Sequence, residues 1–168
     1  VWFHTCGDVY DIIGDLIAIG VDVLELLQPD VFGVERLAAE FGGKVCFCCS
    51  VDHQRRAISG TRDEIFAYAR LLRDRLGCYD GGFIAYVEDY SSLGMPEQNY
   101  QWIREAFHSL DAAPAAVVEA HARDYGGELS RLVPALRARV PGLAEPRSAD
   151  PDTERARLRE AVVAFVRA

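Results

Sequence analysis

The chain has 168 residues, half of them hydrophobic and 26% charged, with a formal net charge of −8. This is the composition of a globular protein rather than a disordered one. The acidic balance, with no basic stripe, disfavours nucleic acid and anionic membrane as partners, since both are bound through Lys and Arg. No apolar run approaches the roughly 20 residues that cross a bilayer, and no signal peptide opens the chain, so cytoplasm is the expected location.

The first run, Val1 to His4, reads as a buried strand. Val9, Ile12, Ile13, Leu16 and Ile17 then recur at helical spacing, with Gly20 as the stop. Val21 to Leu26 is a second strand, and Val34, Leu37, Ala38 and Phe41 mark a helix closed by Gly42-Gly43. Lys44 to Cys49 is a third strand. Thr61 to Glu64 fits a capping box that opens a helix carrying Ile65, Ala69, Leu72 and Leu76 inward and ending at Gly77. Gly82 to Val87 is a fourth strand. Pro96-Glu97 opens a further helix with Ile103, Ala106, Phe107 and Leu110 on one face.

Strands alternating with helices imply parallel pairing through right-handed crossovers, and near-continuous apolar strands imply that both sheet faces are covered. After about residue 111, Ala, Arg and Glu dominate and prolines break the segment. Helices are expected at about 114–125, 128–139 and 152–167, with a loop from Pro141 to Pro151. Leu158, Val162, Phe165 and Val166 are available for packing in the last helix. No chemistry is visible in this tail. The expected organisation is a unit of residues 1–110 followed by a helical tail, 111–168.

Parallel strands bring their C-terminal ends to one rim, where α/β barrels keep their chemistry. The four ends carry His4-Thr5-Cys6-Gly7-Asp8, then Glu25 and Gln28, then Cys48-Cys49-Ser50-Val51-Asp52-His53-Gln54, then Glu88-Asp89-Tyr90. His4 and Cys6, two apart on a strand, point the same way. An imidazole beside a thiolate suits a borderline-soft ion such as Zn²⁺, and a catalytic zinc uses three protein ligands. Asp89 or Glu88 is the candidate third ligand. The plainer alternative is a hydrogen-bonded His beside a buried Cys.

Asp52 is a candidate for proton transfer or for holding a substrate amine, and equally a turn cap. Gln28 and Gln54 stand where a substrate would be held. Glu25, Asp22 and the arginines of helix 62–75 read as solvated or structural, and His108 and His121 as surface residues. The five cysteines (6, 46, 48, 49 and 78) form no regular disulfide framework and are expected reduced, with Cys46 and Cys78 as small core residues. Cys48 and Cys49, being adjacent on a strand, point to opposite faces, which weakens any metal or redox role for the pair.

An ordered set of segments carries a resemblance. It runs from Val1 to Asp8, through Asp15-Leu16, Ile19 to Leu24, Gln28-Pro29, Phe41-Gly42, Val51 to Gln54, Gly60-Thr61, Glu64, Gly81 to Ile84, Pro96 and Asn99. Residues 1–110 thereby resemble the later barrel strands of the uroporphyrinogen decarboxylase superfamily, which includes cobamide-dependent methyltransferases. The resemblance implies half of a (β/α)8 TIM barrel of about four parallel strands, followed by the helical tail.

The resemblance implies a zinc-dependent methyltransferase with His4 and Cys6 as ligands and Asp89, or Glu88 if the register slips by one, as the third. The methyl group would come from a corrinoid on a partner protein and go to a small-molecule acceptor. An oxygen ligand there departs from the cysteine of the methyltransferases and from the histidine of the decarboxylase. Cys48-Cys49 stands where many relatives have Gly-Gly. The alternatives are a decarboxylase acting on a tetrapyrrole in heme biosynthesis, and a non-catalytic half barrel that binds a partner chain. A complete barrel needs about 250 residues, and the chain opens at Val1 within an apolar strand. The expectation is therefore a fragment, completed by a missing N-terminal half or by homodimerisation, with the main catalytic carboxylate and substrate arginines of the decarboxylase outside it.

Overall fold

The computed structural model describes residues 1–79, 82–88, 91–110, 119, 122, 125–132, 134, 136–140 and 142–167, with the side chains of 163 and 165–167 excepted. The chain divides into two compact units, Val1–Asp111 and Ala112–Ala168.

In the first unit, the strands β1 (Trp2–Thr5), β2 (Val23–Leu26), β3 (Cys46–Cys49) and β4 (Phe83–Ala85) form one sheet in the order β1-β2-β3-β4. Every neighbouring pair is parallel. The helices between them are α1 (Ile13–Ala18), α2 (Pro29–Phe32), α3 (Val34–Phe41), α4 (Arg56–Ser59) and α5 (Arg62–Leu76), and α6 (Glu97–Ser109) follows β4. The expected α/β alternation with four parallel strands is present.

Side chains alternate across the strands, and one face meets the helices. Phe3, Leu24, Leu26, Phe47, Cys49 and Phe83 pack into a core with Ile13, Leu37, Ile65, Leu72, Leu76 and Ile103. The expected coverage of both faces holds for the central strands, where β3 is buried throughout, but not for β1, whose residues alternate between exposed and half-buried. Among the described residues, β1 and β4 each have one neighbouring strand, while β2 and β3 have two.

The strands are shorter than their apolar runs. β4 ends at Ala85 rather than Val87 because its partner strand ends at Cys49, opposite Ala85. The first helical run also differs: Tyr10–Ile12 is a 3-10 turn that passes into α1. The change from 3.0 to 3.6 residues per turn rotates the apolar face, leaving Ile12 46% exposed while Ile13 and Leu16 are buried.

Local signals are realised where they are strongest. The amide of Glu64 donates to Thr61 Oγ1 at 3.4 Å, and the amide of Thr61 donates to Glu64 Oε2 at 2.8 Å. The Thr61 amide, and after it the Thr61 hydroxyl donating to Glu64 Oε2 at 2.9 Å, hold the Glu64 carboxyl below its usual pKa. Gly42 is required by space: a Cβ there would lie 2.3 Å from Tyr79 Cζ and 2.4 Å from Ala38 O. Tyr79 Oη donates to that same carbonyl at 3.0 Å. Buried Asn99 ties α6 to the turn before α5, its Nδ2 donating to Ala57 O at 3.1 Å and Gly60 O at 3.2 Å.

In the second unit, backbone at 125–129 is helical, followed by α7 (Leu136–Arg139) and α8 (Pro151–Arg167). The single helix expected at 128–139 is therefore interrupted by a turn at 130–132. Pro134 supplies no amide for a continuous helix and clashes with the preceding turn. The described part of the Pro141–Pro151 stretch is a loop, as expected, and Asp150 caps α8 by accepting from the amides of Asp152 and Thr153, each at 3.1 Å. Most of the helix expected at 114–125, with His121, and the side chains of Phe165 and Val166 lie outside the described residues. Among the described residues, no helix is long and apolar enough to cross a membrane.

Candidate functional site

The parallel register aligns one row of residues across the sheet. His4 stands opposite Glu25, Glu25 opposite Cys48, and Cys48 opposite Ile84. All four belong to the face away from the helical core, because their neighbours Phe3, Leu24, Phe47 and Phe83 occupy the other. The row lies at or next to the C-terminal ends of the strands.

His4 is flanked on both ring nitrogens. Its Nε2 lies 3.4 Å from Cys6 Sγ, and its Nδ1 lies 3.3 Å from Glu25 Oε1. The second Glu25 oxygen accepts from Trp2 Nε1 at 2.6 Å. Glu25 thus joins the two open-face residues of β1, and its side chain is only 19% exposed against 50% for His4. Cys6 is exposed rather than buried, so the plainer sequence alternative holds only for its hydrogen bond. Sequence reading set Glu25 aside as solvated or structural. The signal that would have found it is a lone acid inside the apolar run Val23 to Leu27, two residues past the start of the strand, as His4 is on β1.

Cys48 completes the central part of the row and is 3% exposed. Burial, then the charges of Glu25, Cys46 and Glu88, push its thiol up to about 12. Burial alone pushes Cys46 up to about 12, and burial first of all holds Cys49 well above the ordinary thiol range. These three are neutral thiols near pH 7 and therefore poor nucleophiles. Cys78, expected in the core, is exposed, because it follows the end of α5 at Gly77. All five cysteines are free.

Asp52 sits at the same rim beyond β3, 2% exposed. Its Oδ1 accepts from the amides of Gln54 and Arg55, each at 3.1 Å, and its carbonyl accepts from Ala57 at 2.9 Å. That is the geometry of a turn and helix cap. His53 Nδ1 donates to Leu27 O at 2.8 Å, leaving Nε2 to accept from the Gln28 amide at 3.4 Å. Gln28 is thereby drawn to the Asp52–His53 turn, whereas the Gln54 side chain is exposed. Behind this turn, Asp30 pairs with Arg56 and accepts from Tyr68 Oη at 2.7 Å, while Arg56 lies over the Tyr68 ring at 4.2 Å. Ser50 follows β3 directly. Its hydroxyl is buried with no hydrogen-bond partner among the described residues.

The structure therefore brings His4 and Cys6 together with Glu25, and Gln28 together with His53, at one edge of the sheet. Asp89, the expected third ligand, lies outside the described residues, and its alternate Glu88 is exposed. Among the described residues, no group of three or more His, Cys, Asp or Glu could hold a metal ion. No protein-family model, curated protein or solved structure matches the chain.

Proposed function

We propose that the chain is the later half of a (β/α)8-barrel enzyme of the uroporphyrinogen decarboxylase superfamily, acting as a zinc-dependent, corrinoid-linked methyltransferase. The parallel sheet in sequential strand order supports the half-barrel reading. The single observation that carries the chemistry is the His4–Cys6 pair. The 3.4 Å between Nε2 and Sγ fits two ligands of one tetrahedral zinc, for which bond lengths of about 2.0 and 2.3 Å place nitrogen and sulfur about 3.5 Å apart.

Glu25 supplies the orienting carboxylate that metal-binding histidines usually have. By facing Nδ1 it favours the proton there and turns a bare Nε2 toward Cys6. The Trp2 indole fixes the other Glu25 oxygen, so the carboxylate has one orientation in which to do this. Asp89 is the proposed third ligand, since Glu88 forms no three-ligand group with His4 and Cys6. Zinc, when bound, lowers the pKa of a thiol and supplies a thiolate at neutral pH. The substrate is then a small-molecule thiol that accepts a methyl group carried by a corrinoid protein. Reduced, free cysteines support a cytoplasmic setting.

The decarboxylase reading is weaker, because Asp52 is committed to capping. The partner-chain reading is favoured by the two strands with one neighbour each and by Trp2, 48% exposed on β1. Such edges are ordinarily covered. A missing half barrel or a second copy would cover them.

Metal analysis of the purified chain after zinc loading and dialysis tests the proposal. One zinc per chain is expected, with loss in His4→Ala and in Cys6→Ala. Wild-type protein that retains no zinc would overturn it.

A further inference from the structure

The second unit holds a cavity of about 270 Å³. The helical backbone at 125–129 gives Gly127 and Glu128 to its lining, and α8 gives Arg157. The remaining wall is the irregular segment 143–149, through Ala144, Glu145 and Arg147. Compact surface segments of this kind are frequently functional, and lids over sites are drawn from them.

Two close approaches seat the segment on the helical backbone. A Cβ on Gly126 would lie 2.7 Å from Leu143 Cδ2, and one on Gly127 would lie 2.8 Å from Ala144 O. Side chains then hold it in place. Glu128 Oε1 accepts from the Arg147 amide at 3.0 Å, and Glu154 Oε1 accepts from the Ala149 amide at 3.1 Å. Arg137 grips Glu145 with two bonds, at 2.6 and 2.9 Å.

One guanidinium joins these anchors. Arg131 Nε donates to Glu128 at 3.0 Å, and its Nη2 donates to Glu154 at 3.2 Å and to the Arg147 carbonyl at 3.1 Å. Both carboxylates that hold segment amides are therefore positioned by Arg131. Its side chain is 29% exposed, so its ion pairs are individually weak and are screened by salt. Loss of this one residue loosens both amide anchors together.

We propose that residues 143–149 are a strap that opens and closes this cavity, with Arg131 as its salt-sensitive latch. The device is independent of the metal chemistry proposed for the strand ends, since all its residues lie in the second unit.

The test is amide hydrogen exchange on the full chain, with buried Ala161 of α8 as the internal reference. Arg131→Gln is expected to speed exchange at Arg147 and Ala149 together, several-fold more than at Ala161. Rising sodium chloride is expected to do the same in wild type. Gly127→Ala separates the strap from a merely structural helix. Alanine alone favours a helix over glycine, but here its methyl meets the Ala144 carbonyl. Exchange at both strap amides, and trypsin cleavage after Arg147, should therefore rise several-fold. Arg147 and Ala149 that respond separately, or only in step with Ala161, overturn the proposal. Unchanged strap exchange in Gly127→Ala also overturns it. If either variant fails to fold, the salt series in wild type decides by the same criterion.

Discussion

The two units of the chain are built on different physics. The first wraps its helices on one face of a parallel sheet and buries large apolar side chains, with Leu24, Leu26, Phe47, Leu72 and Ile103 fully inaccessible. In the second, the buried hydrophobics among the described residues are Ala122, Leu129 and Ala161. Its described polar contacts centre on arginines: Arg131 bridges Glu128 and Glu154, and Arg137 grips Glu145. Burial of apolar area is insensitive to salt, whereas partly exposed ion pairs are individually worth about 0–1 kcal/mol and are screened. The first unit should be the stable one and the second the salt-sensitive one.

The largest effect expected from breaking this contrast is a cavity in the first unit. Leu72→Ala should cost about 2–5 kcal/mol, read by urea unfolding followed through a first-unit tryptophan. Gly42→Ala comes next, at about 1–3 kcal/mol, because the added methyl meets the Tyr79 ring and a backbone carbonyl. A smaller loss there would mean that Tyr79 moves aside freely.

The three buried thiols add a pH signature confined to the first unit. Unfolded, they titrate near about 8.5; folded, Cys46 and Cys48 are raised to about 12 and Cys49 is raised as well. Protons are thus held more tightly in the folded state. Their stabilisation is complete below about pH 8.5 and is lost as pH rises toward 12, by up to about 1.4 kcal/mol per pH unit for each thiol. Urea midpoints between pH 8 and 10 should fall less steeply in Cys46→Ala than in wild type. Identical slopes would show that the thiols titrate alike in both states. The smallest effect is Arg131→Gln, expected to cost about 1 kcal/mol or less at low salt. Hydrogen exchange should show it as faster opening of α8, converging with wild type at high salt. Equal protection in α8 and in β3 would erase the contrast between the units.

Much of the first unit is legible from sequence because several local signals agree. The Thr61–Glu64 box, the Gly42 stop and the apolar runs at β2 and β3 all specify the same parallel layers. The site was only half legible. His4 and Cys6 share a strand side, which period two reveals. Glu25 joins them through a register between strands 21 residues apart, and a single sequence does not state register. Asp52 has two readings of equal weight in sequence, and its bonds to the Gln54 and Arg55 amides, which supply the capping one, are visible only in the structure. In the second unit, composition suggested helices but not the turn at 130–132, because ion pairs across loops leave no periodic trace.

The proposed chemistry rests on His4 and Cys6 acting as one ligand pair held by Glu25. Substitution with cobalt(II) reads this directly, since a thiolate ligand gives a sulfur-to-cobalt charge-transfer band. One cobalt per chain with that band is predicted for wild type, with the band absent in Cys6→Ser. In Glu25→Gln the band should persist, with affinity about 10–100-fold weaker, as for loss of an orienting carboxylate. A wild-type chain that binds cobalt without the band, or a Cys6→Ser variant that keeps it, would contradict the account.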